Sequence, residues 1–289
     1  MAGNIGGGKV PRTPKGRALG TLLRQEREER KIGLREFASR LGREPSMISR
    51  WETGDRNPKP EDVARFLTAL GVEGERYDEI MSLTAGADNP LWVAVTLPEQ
   101  RRQLAALVEF EQSATLITHV QPLLIPGLLQ TSDYVHAIMT AAEVSAGEYG
   151  VRVAIRLGRQ DILKRPDPVM LVAFIGEAAL WQMIGSPAVM VGQLRHLSEM
   201  SQLPNVTIRI IPHDSGWNPS YDGAFIVIES DGNTPIVHLG NRPSLQFLND
   251  DPDVGTYRRA VGMVERVAMS PEESAELITE YGNQWENST

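Results

Sequence analysis

Leu19, Leu22 and Leu23 recur one helical turn apart inside an otherwise charged run, so Arg17 to Arg30 reads as an amphipathic helix. Two shorter stripes follow. Phe37, Ala38 and Leu41 mark a second helix, and Gly42 is placed to end it, because Gly takes a left-handed conformation without steric cost. Pro45 restarts the chain at a first helical position, where its missing N–H is no loss. Ile48 and Trp51, three apart, form the apolar edge of a third helix, and Ser46, Ser49 and Arg50 fall on its other side. The prolines and the Asn-Pro pair within Asp55 to Pro60 predict a loop. Val63, Phe66, Leu67 and Leu70 then predict a helix over Glu61–Leu70, stopped by Gly71, and Tyr77, Ile80 and Met81 predict a fifth over Glu73–Leu83. These five helices make residues 17–85 an all-α domain.

Beyond a linker expected at 86–98, the pattern becomes mixed. Leu104, Leu107, Val108 and Glu111 line one flank of a helix over Glu99–Thr115, and the β-branched run Ala114–Leu124 predicts a strand. Ile125-Pro126-Gly127 turns the chain into a helix over Thr131–Ala142, capped by Thr131 or Ser132. Glu148–Lys164 reads as one helix with Arg152, Arg156 and Arg159 on a single face. Val169–Ile175 is a continuous apolar run, the pattern of a buried strand, and helices are expected over Gly176–Met183 and Pro187–Ser201. Val206–Ile211 alternates as a strand does, and Phe225–Glu229 with Ile236–Leu239 predicts a hairpin across Ser230–Asn233. A helix over Asp250–Val267 opens on acidic residues that suit its positive end. Ser270-Pro271-Glu272-Glu273 caps a last one. Residues 99–289 therefore read as an α+β domain, expected to serve regulation and dimerisation.

Composition changes this picture in two places. The chain has no cysteine, which removes disulfide scaffolds and thiolate sites, and no stretch is apolar for long enough to span a bilayer. With no signal peptide in view, a cytoplasmic protein is expected, held at the nucleoid when on DNA. The net charge of −8 is also unevenly divided. Residues 1–59 hold 14 Lys and Arg against 7 Asp and Glu, whereas residues 87–289 hold 13 against 24. A basic head on an acidic body suits nucleic-acid binding by the head alone. Residues 1–16, rich in Gly, Pro and Lys, read as a disordered basic arm. Gly3 to Lys9 fits the opening of a phosphate-binding loop, but Val10 supplies no hydroxyl and Pro11 breaks the helix that should follow, so a nucleotide site is not expected.

The run from Leu34 to Gly54 resembles the Xre-type helix-turn-helix family, whose five-helix fold is that of the phage lambda repressor. Leu34, Arg35, Glu36, Phe37, Ala38, Leu41 and Gly42 carry the resemblance, followed by Ser46, Ile48, Ser49, Arg50, Trp51, Glu52 and Gly54. It implies that Pro45, Ser46, Ser49 and Arg50 meet base edges, with Arg50 the strongest candidate because a guanidinium can bond both acceptors of a guanine. It also implies phosphate contacts for Arg43, Arg56 and Lys59. Leu34 stands where many members place a phosphate-bonding Gln. Ile48 and Trp51 are expected in the core and Glu52 in a structural ion pair or cap.

Pro126–Thr131 with Tyr134, Arg156–Gln160, Gly176–Leu180, Val189–Leu197 and Pro204–Pro212 with Phe225 are similar to the domain of unknown function that follows such heads in actinobacterial regulators. The resemblance is to the WhiJ-like, antitoxin-like group. It implies a small partner protein encoded nearby. The family often has an aromatic and an acidic residue after its last strand; here His238-Leu239-Gly240-Asn241 stands there.

No catalytic constellation emerges. None of His119, His136, His196, His213 and His238 pairs with another at helical metal-ligand spacing, and no G-x-S-x-G nucleophile motif is present. Asp250, Asp251 and Asp253 are explained by a helix N-terminus. Arg156, Arg159, Gln160 and Glu177 remain either a buried ion-pair network joining a helix to a strand end or a ligand or partner site. No enzyme activity, cofactor or metal is expected. The expected function is that of a homodimeric, sequence-specific DNA-binding transcriptional regulator whose second domain senses a small partner protein or ligand. The alternative is an antitoxin-like protein that sequesters such a partner and binds DNA for autoregulation.

Overall fold

A computed structural model describes residues 13–94, 97–144, 146–241 and 244–288. The expected basic arm and the Gly3–Lys9 motif fall, up to residue 12, outside the described residues. The chain divides into two compact units: one holds the residues through Glu109 with Gly232–Ile236 and Asn241–Asp253, the other holds Phe110–Asp231, Val237–Gly240 and Val254–Thr289.

The first unit opens with α1 (Pro14–Glu29), α2 (Leu34–Leu41), α3 (Pro45–Glu52), α4 (Pro60–Ala69) and α5 (Gly74–Ser82). The first helix starts earlier than its apolar stripe suggests. Thr13 caps it by accepting the Gly16 N–H at 3.0 Å, and Pro14 takes the first position, so residues 14–16 belong to the helix and Thr13 to its cap. Leu19, Leu23, Phe37, Ala38, Ile48, Trp51, Val63, Phe66, Leu67, Ile80 and Leu83 are buried together as the core of the five helices. Phe37 of α2 meets Phe66 of α4 edge to face at 4.5 Å between centroids, a favoured aromatic geometry. Gly42 ends α2 with a φ of 62°, as its place in the sequence predicts.

The stretch expected as a linker contains a strand, β1 (Leu91–Ala94). It pairs antiparallel with β7 (Ser244–Leu248), Leu91 opposite Leu248, a strand absent from the sequence reading. Trp92 is buried against Phe247. The Trp92 carbonyl accepts a hydrogen bond from the buried Gln103 amide at 2.7 Å on α6 (Leu97–Gln112).

In the second unit β2 (Leu116–Gln121), β3 (Met170–Gly176) and β4 (Val206–Ile211) run parallel, with β5 (Phe225–Glu229) antiparallel beside β2 and β6 (Ile236–Asn241) next to β5. Ile117, Val120, Leu171, Ala173, Ile175, Ile208 and Ile210 are buried, which explains the near-continuous apolar runs in the sequence. The helices are α7 (Ser132–Ala141), capped by Thr131, α8 (Ala146–Gly158), the single turn α9 (Ala178–Trp181), α10 (Pro187–Met200), α11 (Asp251–Val267), whose opening residues belong to the first unit, and α12 (Pro271–Glu286). Two expectations are corrected. The helix expected over Glu148–Lys164 ends at Gly158, and Arg159–Leu163 continue as a tighter 3-10 turn. The helix expected over Gly176–Met183 shrinks to α9. Ser270 and Glu273 form the reciprocal capping box that opens α12.

Candidate nucleic-acid interface

α3 is held by one face. Ile48 and Trp51 are buried, and Gly20 of α1 lets the two backbones approach: a Cβ there would lie inside contact distance of the Trp51 carbonyl and 2.9 Å from that of Glu52. Gly54, with a φ of 70°, turns the chain just after α3, and a Cβ there would come within 2.9 Å of the Arg17 Cα. Only a residue without a side chain fits either place. Glu52 is buried and receives two bonds from Arg27 of α1, Nε to Oε1 at 2.6 Å and Nη2 to Oε2 at 2.7 Å. That bond to Glu52 raises the Arg27 pKa above its ordinary value, against the pull of burial. The ion pair expected of Glu52 is thus formed.

The other edge of α3 faces outward. Ser46 and Arg50, four residues apart, are exposed, and Pro45 and Ser49 are half-buried beside them. Among the described residues no hydrogen bond or ion pair engages the side chains of Ser46, Ser49, Arg50, Arg56 or Lys59. Arg43 differs from its neighbours. Its Nη2 lies 2.7 Å from Asp62 Oδ1 on α4, so this cation already holds an acidic partner. A helix edge of two serines and an unengaged guanidinium, with two unengaged cations in the following loop, offers base-edge donors beside phosphate-binding charge.

The four polar residues singled out in the second unit are not one site. Arg159 pairs with Glu111 of α6, Nε to Oε2 at 2.7 Å and Nη2 to Oε1 at 2.6 Å, both residues buried. Arg156 donates to the Gln130 side-chain oxygen at 3.1 Å, and Gln160 donates to the Gln130 carbonyl at 2.6 Å. Burial, then the nearby Arg159 and Arg152, lowers the Arg156 pKa to about 10. Glu177 stands apart. Its Oε2 accepts the His213 N–H at 2.9 Å and lies 2.7 Å from His213 Nδ1, and its Oε1 accepts the Tyr281 hydroxyl at 2.8 Å. Burial pushes the Glu177 carboxyl up, but these bonds outweigh it and leave it lowered; burial and Glu177 raise Tyr281 to about 12. The expected helix-to-strand-end ion pair is therefore replaced by Arg159–Glu111, with Glu177 in a separate network. Glu111 sits in the predicted apolar flank Leu104, Leu107, Val108, Glu111, and a carboxylate in such a stripe is itself a sign that a buried cation must meet it.

Two buried histidines lie near Arg159. Burial first, then Arg159 and His238, lowers the pKa of His119 to about 3; burial and Arg159 lower that of His238 to about 4. Both are therefore neutral at neutral pH. The acidic cluster at the start of α11 acts as a cap, Asp250 Oδ1 accepting the Asp253 N–H at 3.0 Å.

Among the described residues no helix is long and apolar enough to cross a membrane. No curated protein matches the chain. Residues 18–80, which contain the α2–α3 arrangement, match the model of a helix-turn-helix domain, the class that sets a short helix in a DNA groove. Residues 104–280 match the model of a domain of unknown function, DUF5753. As that match covers more than half of its length, the chain belongs to the DUF5753 family and carries a helix-turn-helix domain ahead of that region.

Proposed function

We propose that the protein is a sequence-specific transcriptional regulator of the Xre type in which α3 reads the major groove. The observation that carries this is the outward edge of α3: Ser46, Ser49 and Arg50, whose side chains have no hydrogen-bond or ion-pair partner among the described residues, on a helix fixed from behind by Trp51 and the Arg27–Glu52 pair. Arg50 bonds a guanine edge, the serines meet neighbouring bases, and Arg56 and Lys59 position the head on phosphate. Arg43 joins them only by giving up Asp62. Two copies bind half-sites about one helical turn apart, roughly 34 Å. The acidic body of the chain keeps non-specific DNA contact confined to the head. The second unit receives the signal, and a small protein is the favoured source. An antitoxin-like role, in which holding that protein is the main task, is favoured by the exposed Trp181, Trp217 and Tyr221. The reading gives the chain no catalytic step. Its test is the base preference of Arg50→Ala, read by selecting bound duplexes from a randomised pool: loss of preference at one base pair in each half-site supports the reading, and an unchanged preference contradicts it.

A further inference from the structure

Nine large apolar side chains are exposed among the described residues, and five of them are Leu123, Trp181, Met183, Trp217 and Tyr221. All five lie on the three segments that leave the C-terminal ends of β2, β3 and β4. These strands are parallel neighbours, with Gln121 opposite Ile175 and Gly176 opposite Ile211, so the three segments emerge side by side. They also touch. Gly176 packs against the Pro122 carbonyl so closely that a Cβ would not fit, and the Glu177 N–H bonds the Ile211 carbonyl at 2.9 Å.

The segments are braced rather than loosely draped. Glu177 ties the β3 end to His213 beyond β4, Trp285 Nε1 donates to the Leu180 carbonyl at 2.9 Å, and the buried Asn218 caps the turn carrying Tyr221 through the Ser220 N–H at 3.1 Å. Exposed aromatic rings on braced segments leave apolar surface in water, and large aromatic side chains dominate binding hot spots. Charge selects the partner. Residues 121–131, 176–186 and 212–224 expose Asp214 and Asp222, hold Glu177 buried against His213 and Tyr281, and contain no Lys or Arg.

We propose that this end of the parallel sheet is a docking surface for a protein partner that inserts aliphatic or aromatic side chains flanked by Lys and Arg. The proposal rests on the reading of the second unit as the part that receives a partner, and it names where and by what chemistry. The acidic charge opposes DNA phosphate. A symmetric second copy would bring Asp214 and Asp222 against themselves or each other, so it too is disfavoured.

The probe is a phage-displayed library of random peptides, selected on the full-length protein and counter-selected on the Trp181→Gln/Trp217→Gln/Tyr221→Gln variant, whose fold is checked by circular dichroism. The expected result is enrichment of peptides combining apolar residues with Lys or Arg. As free peptides they bind the triple variant and a separate Asp214→Lys/Asp222→Lys variant at least about tenfold more weakly. No enrichment over the triple variant, enrichment of acidic peptides, or equal binding to the charge-reversed variant overturns the proposal. So does conversion of a dimer to a monomer by the triple substitution in sedimentation, which would give the surface to a second copy. A DNA titration of the same proteins separates the two readings: wild-type protein that binds the peptides but no DNA contradicts the regulator and leaves the docking surface standing.

Discussion

Arg27 of α1 and Glu52 at the end of α3 face each other as a buried two-pronged ion pair, 2.6 and 2.7 Å across its two bonds. The pair fixes the rear of α3 to the first helix, so it bears on how steadily the outward edge is presented. Removing Glu52 leaves the buried Arg27 guanidinium with the Ile32 carbonyl at 2.8 Å and the more exposed Glu28 carboxylate at 3.6 Å as its remaining partners. Glu52→Leu is expected to destabilise the helical head by about 3–5 kcal/mol, and Arg27→Met/Glu52→Leu to recover much of that loss. Hydrogen exchange at the α3 amides of the full chain, compared across the variants, measures it. Equal protection in Glu52→Leu and wild type would contradict the role of the pair.

Gly20 makes a second, sterically different demand on the same contact. Gly20→Ala places a methyl group against the Trp51 and Glu52 carbonyls, so α1 and α3 must part. Its helical propensity should rise by roughly 1 kcal/mol, yet the clash is expected to dominate and lower the melting temperature of the head. Gly33→Ala is the control, since its Cβ would meet nothing within 4 Å. Thermal unfolding followed by hydrogen exchange distinguishes the two.

Much of this head is legible in the sequence, because its core positions fall at helical spacing: Leu19 and Leu23, Phe37 and Ala38, Ile48 and Trp51. What escaped was charge on the same stripe. Arg27 lies four residues beyond Leu23 and eight beyond Leu19, on the buried face, but a charged residue reads as solvent-facing until its partner, 25 positions away, is placed. Arg159 carries the expected buried ion pair, but its partner Glu111 stands 48 positions away and no local pattern joins the two. The strands β1 and β7 are short, and their pairing joins Leu91–Ala94 to Ser244–Leu248, far apart in the chain, which no local pattern encodes. Glu177 was assigned to the wrong network because sequence gives no sign that His213 and Tyr281 would meet it.

Asp62 holds Arg43 at 2.7 Å. Asp62→Asn removes the competing carboxylate, so Arg43 reaches a phosphate without breaking an ion pair, and a repulsive charge beside the DNA disappears. DNA affinity is expected to rise several-fold, with a salt dependence steeper by up to about one counterion. Anisotropy titrations over a range of salt concentrations check both. In Asp62→Asn/Arg43→Ala the gain in slope should vanish.

The buried histidines give the second unit an acid limit. An unfolded imidazole takes up its proton near the ordinary value of 6.5, whereas burial and Arg159 hold the folded His119 and His238 neutral down to about 3 and 4. As pH falls through the window between those values and 6.5, the unfolded chain binds protons that the folded one refuses. Stability from these groups is therefore full above about pH 7 and declines with acidification, by up to roughly 1.4 kcal/mol per pH unit for each histidine. Denaturant midpoints between pH 7 and 4.5 should fall less steeply in His119→Gln than in wild type. An unchanged slope would contradict the assignment.

The central claim is that the Ser46–Ser49–Arg50 edge of α3 reads bases, and selection of bound duplexes from a randomised pool tests it most directly. Wild-type protein should select a defined two-part site. Arg50→Ala should bind that site more weakly by about 1–3 kcal/mol and lose preference at one base pair in each half, with the preference elsewhere retained. Selection of the same site, with the same affinity and the same base preference, by Arg50→Ala would contradict the account.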